Sequence, residues 1–179
     1  LTLELDTGRN TAASIRTLTY DGRPKRTTFH TPLVEVLVLG RGRGANQTRN
    51  LVNTTAGHQL RYAEHSQRDG RLELVQVAQD GTFEVRTIIE MTHGTAAVRF
   101  TSTARNLGDE PLVIEAFTPA VLPVPFAVSE TDVFTATSSW CAENRWRRQS
   151  LASAGVVNDN SERMSAPGSA SLVQLGTST

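Results

Sequence analysis

The sequence is poor in cysteine and has no long apolar run. Its single cysteine, Cys141, excludes an intrachain disulfide and any zinc site built on several thiolates. No apolar stretch approaches the roughly 18 residues that a membrane-spanning helix needs. The first residues also lack the basic and then apolar pattern of a signal peptide. We therefore expect a soluble protein with a cytoplasmic location and no membrane partner.

An excess of charge of one sign is also absent. The 18 basic and 18 acidic residues cancel, so no net field would hold the chain on nucleic acid or on an anionic membrane. Lys25 is the only lysine, and arginine supplies the other basic residues, but this excess of arginine alone implies no ligand. We expect no nucleic-acid partner.

Apolar and polar residues alternate with a period of two, which is typical of β-strands. The pattern is clearest from Arg71 onward, where turn residues at Asp80-Gly81, His93-Gly94 and 108–111 separate the runs. It predicts four consecutive antiparallel strands. Because Asp-Gly supplies the positive φ angles of a tight hairpin, we expect a two-residue turn at Asp80-Gly81.

Weaker strand signals precede this region, over residues 1–5, 13–20, 32–39 and 59–65. The run from Leu33 to Leu39 is almost continuously apolar, which predicts burial of that strand on both faces or at a contact between sheets. No apolar stripe of helical period extends beyond two turns. The nearest helix candidate is residues 138–151, which has no clean apolar face.

About ten short strands at spacings of roughly 8 to 12 residues predict an all-β fold, an antiparallel two-sheet sandwich. We expect residues 1–179 to form a single domain of this kind. The proline-rich stretch 119–130 and the polar stretch 157–168 break the alternation. We expect the first to cross from one sheet to another or from the core to the rim, and the second to be a long loop. The chain has no initiator Met and ends soon after the apolar run 170–175, so we expect it to be a fragment of a longer protein.

A self-contained catalytic or metal site is not evident in the sequence. The four histidines lack metal-ligand spacing, the glycines at 40–44 lack the Lys-Ser/Thr of a phosphate-binding loop, and Cys141 has no histidine nearby. Four carboxylates are simplest to interpret as strand-edge charges that are solvated or paired with arginine: Glu115, Glu130, Asp132 and Glu143. We therefore assign no catalytic residue, no metal ligand and no cofactor.

Both tryptophans lie in one polar segment, residues 137–148. Indole faces stack on sugar rings and on guanidinium groups, and neighbouring Glu and Arg residues can hydrogen-bond sugar hydroxyls. Core packing and contact with a missing domain are equally consistent with the spacing, and both rank ahead of ligand stacking. We keep three candidate substrate-binding residues, Trp140, Glu143 and Trp146.

This segment resembles the end of the N-terminal domain of the family-36 glycoside hydrolases, the bacterial α-galactosidases. In residues 132–151 the similarity lies in Trp140, in Glu143 three residues later, and in the ending Arg148-x-x-Leu151. Two upstream stretches, 57–62 with Leu-Arg-Tyr and 98–114 with an Asn-x-Gly turn, match the family in the same order. The resemblance covers about residues 32–151. Residues 160–168 match the family's Ser-Arg-x-Gly stretch poorly, which leaves the sugar specificity open.

The resemblance implies a large antiparallel sandwich that precedes a (β/α)8 barrel. The retaining carboxylate chemistry of an α-galactosidase would belong to that barrel, which would be the C-terminal partner of this domain in the same bacterial parent chain. The expected function is that of a non-catalytic N-terminal domain that packs on the barrel and reaches the rim of its active site. The alternative is a stand-alone carbohydrate-binding module that uses both tryptophans, and a structural adhesion-type sandwich ranks third. Carbohydrate binding and homo-oligomer formation stay open.

Overall fold

The computed structural model describes residues 1–27, 30–39, 55–122, 131–139, 142–150 and 171–177. This part of the chain contains twelve strands and one short helix. All strand pairings within it are antiparallel. The predicted fold class, all-β with antiparallel, sandwich-like sheets, is confirmed. None of the described residues belongs to a helix that is long and apolar enough to cross a membrane.

The elements are named here in chain order. The helix α1 spans Thr55–Gln59. The strands are β1 (Thr2–Asp6), β2 (Ser14–Tyr20), β3 (Arg23–Arg26), β4 (Glu35–Val38), β5 (Leu60–Arg68), β6 (Arg71–Ala78), β7 (Phe83–Met91), β8 (Val98–Asn106), β9 (Ile114–Thr118), β10 (Thr131–Ser139), β11 (Ala142–Ser150) and β12 (Ser171–Thr177).

The contacts within the chain define two compact units. Unit 1 contains β1 to β9 and α1, and its strands form three sheets with the orders β1-β2-β3, β4-β9 and β5-β6-β7-β8. Unit 2 contains the three-stranded sheet β11-β10-β12. The expectation of one domain over residues 1–179 stays a prediction.

Tight turns form at two of the Asp-Gly pairs in unit 1. Asp21-Gly22 joins β2 to β3 and Asp69-Gly70 joins β5 to β6, and both residues of each pair have positive φ angles. These are the two-residue turns that match the right-handed twist of a hairpin.

The prediction of a two-residue turn at Asp80-Gly81 is wrong. Four residues separate β6 from β7, and only Gly81 of the pair has a positive φ angle. The Asp80 carboxylate accepts hydrogen bonds from the Thr82 backbone N–H at 3.1 Å and from the Thr82 hydroxyl at 2.6 Å. Because the Asp80 side chain supplies its own local turn, the connection is wider than the backbone signal alone predicts.

The four strands predicted from Arg71 onward are all present, but they do not stay in one sheet. β6, β7 and β8 lie side by side, whereas β9 pairs with β4. Leu33, Val34 and Val36 are fully buried, as the apolar run predicts, whereas Leu39 at the end of the run is 59% exposed. A buried strand needs partners for its backbone N–H and C=O groups, and β9 supplies them for β4.

Several segments differ from the sequence prediction or were not predicted from the sequence. Residues 142–150 of the nearest helix candidate form β11, while α1 and β3 have no clear sequence signal. β3 contains Pro24 and lies at a sheet edge, where a missing N–H costs least. The apolar run near the end forms β12. Residues 123–130 and the predicted loop 157–168 lie outside the described residues.

A single apolar cluster forms the core of unit 1. Its buried members come from the segment before β2, from β2, from the segment that contains β4, and from α1, β5, β6 and β7. In β7, buried Phe83, Val85 and Ile89 alternate with the more exposed Glu84 and Arg86, as the period of two predicts. Burying each large apolar side chain contributes about 1.5–3 kcal/mol.

Buried and partly buried polar side chains join neighbouring elements of unit 1. The side-chain oxygen of Gln76, a fully buried residue, accepts a hydrogen bond from the Ala13 N–H at 2.7 Å. The Ser102 hydroxyl donates to the Pro119 carbonyl at 2.7 Å, so the Thr87 hydroxyl, 2.8 Å from Ser102, is the donor in that pair. These bonds fix β6 to the start of β2, and β8 to the segment after β9.

Candidate functional site

The structure places two of the three candidate residues in one strand. Glu143 and Trp146 both lie in β11, whereas Trp140 lies outside the described residues. The Trp146 side chain is 45% exposed, so it is not a core residue. The predicted use of both tryptophans as one platform therefore stays a prediction, and Trp146 is the aromatic residue whose surroundings can be described.

β11 is an edge strand of the unit 2 sheet, and β10 is its neighbour. In the antiparallel register Arg148 lies opposite Phe134, and Trp146 lies two residues before Arg148. Because side chains alternate along a strand, Trp146, Arg148 and Phe134 share one face of the sheet. Two positions along a strand correspond to about 7 Å, which is the backbone spacing of residues 146 and 148 along β11.

Arg148 is held in place from two sides. Its Nε and Nη2 groups donate to the Asp132 Oδ2 atom at 2.9 and 2.5 Å. Its guanidinium also lies over the Phe134 ring, with the guanidinium carbon 5.6 Å from the ring centroid. The Asp132 side chain is only 9% exposed, whereas that of Arg148 is 57% exposed. A largely buried carboxylate therefore orients an exposed cation.

The fixed guanidinium keeps hydrogen-bonding capacity toward solvent. An arginine side chain has five N–H donors, and Asp132 accepts from two of them. The other donors lie on a side chain that is 57% exposed, on the same face of the sheet as the exposed Trp146 and two strand positions from it. An apolar ring face next to preoriented donors is the combination that sugar rings require, since they have C–H faces and hydroxyl edges.

Asp132 pairs with an arginine, as predicted, but its interpretation as a solvated strand-edge charge is wrong, because β10 is the central strand of its sheet and the side chain is largely buried. The identity of that arginine has no local signal, because Arg148 lies 16 residues later and the β10–β11 register alone brings the two together. The same register also places the Phe134 ring below the Arg148 guanidinium, because Phe134 pairs with Arg148. Of the other carboxylates singled out in the sequence, Glu115 lies in β9 and Glu130 lies outside the described residues.

His65 is an exposed residue of β5 with a defined side-chain partner. Its Nδ1 atom lies 2.8 Å from the Tyr62 hydroxyl in unit 1. A search of the described residues for three or more His, Cys, Asp or Glu side chains that could hold a metal ion finds no such group.

The surface formed by Trp146, Arg148 and Asp132 can therefore stack on a ring and donate hydrogen bonds. It does not bring together two free carboxyl groups, because Asp132 is engaged by Arg148. Comparisons of the chain with models of known protein families, with curated proteins and with solved structures find no match.

Proposed function

We propose that this chain is a non-catalytic β-sandwich domain of an α-galactosidase-like glycoside hydrolase, whose β10–β11 hairpin contacts carbohydrate at the rim of a catalytic barrel. The observation that carries the proposal is the exposed Trp146 on the same face of the sheet as Arg148, whose guanidinium Asp132 fixes. The ordered resemblance over residues 32–151 supports the family and the barrel partner. It also supports retention as the stereochemical outcome in the parent enzyme.

The charges of this surface favour a neutral sugar. Asp132 compensates the charge of Arg148, so the pair offers directed N–H donors with little net charge. Hydroxyl groups accept such bonds without a charge of their own. A pyranose ring placed with its C–H face on Trp146 would extend about one ring width toward Arg148, since the two positions are about 7 Å apart along the strand. This arrangement suits a neutral pyranoside.

Catalysis by a retaining glycosidase needs two carboxyl groups about 5–5.5 Å apart, one of them free to act as the nucleophile. In unit 2, Asp132 is the carboxylate whose side chain the structure describes, and two hydrogen bonds from Arg148 occupy it. The carboxylate therefore serves to position the arginine. The proposal assigns bond cleavage to the barrel.

Turnover of nitrophenyl α-galactoside tests this assignment. The chain of 179 residues alone should give no turnover. In the longer parent enzyme, Trp146→Ala should raise KM about tenfold with a smaller effect on kcat, because it removes ring stacking that is present before and during reaction. Tyr20→Ala is the matched control, since Tyr20 is also an exposed aromatic but lies in unit 1. Turnover by the chain alone, or equal effects of both variants, would contradict the proposal.

A stand-alone carbohydrate-binding module is the second candidate, and the exposure of Trp146 favours it as well. Titration calorimetry of the isolated chain with galactose and with galactosides separates the two. Saturable binding that disappears in Trp146→Ala and in Trp140→Ala supports the module. An accessory domain should show no saturable binding without its barrel, because it supplies only one side of the binding site.

A further inference from the structure

A cleft of about 260 Å³ lies in unit 1, and none of its lining residues belongs to the surface of the proposed function. Its floor is formed by Leu72 and Leu74 of β6 and Ile89 of β7. These residues lie on the inner face of the β5–β8 sheet, where Leu72 pairs with Ile89. Leu3 and Leu5 of β1 form the opposite wall. The body of the cleft is therefore apolar.

One end of the cleft is closed by a backbone contact. The Met91 N–H donates to the Gly70 carbonyl at 2.9 Å, which holds the β5–β6 turn against the end of β7. A Cβ atom at position 70 would lie 3.0 Å from the Met91 carbonyl oxygen, and Gly70 has a φ of 76°. Only glycine suits this position without strain, so the turn can close over the end of the cleft.

The rim of the cleft is polar but carries no fixed charge. It is formed by Thr7, His65 and Gln67. The Tyr62 hydroxyl lies 2.8 Å from the His65 Nδ1 atom, and the two rings are 5.9 Å apart with an angle of 41° between them. This contact fixes the imidazole and leaves its Nε2 atom for another hydrogen bond. Arg, Lys, Asp and Glu are absent from the residues that line the cleft.

We propose that this cleft binds a small neutral molecule with an apolar body of about two fused rings and one hydroxyl group at the rim. An apolar cavity of about 150 Å³ is large enough for benzene, and this cleft is larger. A carboxylate would enter without a fixed positive partner, and burying an unpaired charge is strongly unfavourable. A hydroxyl group would hydrogen-bond His65 Nε2. The proposal does not depend on carbohydrate binding in unit 2.

Fluorescence titration with 2-naphthol, naphthalene and 2-naphthoate tests the class of ligand. The chain should bind 2-naphthol saturably with one site, and 2-naphthoate at least tenfold more weakly at neutral pH. The exposed residue His65 offers the discriminating variant. His65→Ala should weaken 2-naphthol binding about fivefold and leave naphthalene binding unchanged, which a general loss of structure would not do. Absence of saturable 2-naphthol binding, or an equal effect of His65→Ala on both probes, would overturn the proposal.

A blocking variant tests the location of the site. Gln67→Trp places a large ring at the rim on an exposed strand position and should reduce 2-naphthol affinity at least tenfold. Ser66→Trp is the matched control. Ser66 is the neighbouring exposed residue, it pairs with Glu73, and it lies on the opposite face of β5. Equal affinity in the two variants would place the binding elsewhere and refute the assignment.

Discussion

Unit 1 and the sheet of unit 2 use their strands in different ways. In unit 1, the inward faces of the strands meet in one apolar cluster, with fully buried residues such as Leu33, Leu60 and Leu74. In unit 2, residues 145–149 of β11 are all exposed, and the defined side-chain contacts join Arg148 to Asp132 and Phe134. The comparison shows that the same strand geometry can support either a core or an exposed polar surface.

The difference follows from what each face buries. Apolar burial is non-directional and scales with area, so unit 1 tolerates many arrangements that keep its inner faces apolar. An ion pair depends on the positions of a few atoms, so the unit 2 contact requires the β10–β11 register to be correct. Substitutions should therefore affect stability most in unit 1 and local geometry most in unit 2.

The largest expected effect is loss of core packing in unit 1. Leu33→Ala should lower the free energy of unfolding by about 2–5 kcal/mol, because Leu33 is fully buried and the substitution leaves a cavity. Urea denaturation monitored by circular dichroism measures this change. Trp146→Ala in unit 2 is the comparison variant and should cost less than about 1 kcal/mol, since the indole is already exposed. Similar losses for both variants would remove the contrast between the units.

A smaller effect is expected at the buried polar contact of unit 1. Gln76→Leu should cost about 1–3 kcal/mol, because it leaves the Ala13 N–H without its acceptor. Hydrogen exchange at the Ala13 amide should accelerate in this variant. Gln149→Leu in unit 2 is the matched control, and since Gln149 is exposed we expect a change below about 0.5 kcal/mol. Unchanged exchange at Ala13 would show that the bond does not hold β2 to β6.

The smallest effect on stability is expected at the ion pair of unit 2. Asp132→Asn should cost about 1 kcal/mol, a modest value because Arg148 is more than half exposed and solvent screens the pair. The clearer readout is the Arg148 Nε–H resonance in an NMR spectrum, which should shift because an amide oxygen is a weaker acceptor than a carboxylate. Glu90→Gln is the control in unit 1, where the Arg71–Glu90 pair is exposed on both sides. A larger loss of stability in Glu90→Gln would reverse the expected order.

The sequence predicts the strands of unit 1 well where one face is apolar and the other polar. β7 follows this rule almost residue by residue, and the Asp-Gly turns after β2 and β5 are visible as short motifs. The turn at Asp80-Gly81 shows the limit of such motifs, because a side-chain contact with Thr82 decides its length. A side-chain hydrogen bond can thus lengthen one Asp-Gly turn, although the same dipeptide forms two-residue turns after β2 and β5.

The candidate site was predicted less completely. Trp146 stands out in the sequence as an aromatic residue in a polar segment, but neither its exposure nor the partners of Arg148 can be read from spacing. The cleft in unit 1 has no sequence signal either, because its lining comes from β1, β5, β6 and β7. Residues far apart in the chain form it only when the sheets pack.

The sequence by itself determined the class of this fold. Its period of two, its Asp-Gly turns and its short apolar runs specify antiparallel strands, because these signals depend on neighbouring residues and on the local backbone. Tertiary structure decided that β9 pairs with β4, that Arg148 is the partner of Asp132, and that His65 lies at the rim of a cleft. These features join residues distant in sequence, and only the packing and register of the folded strands bring such residues together.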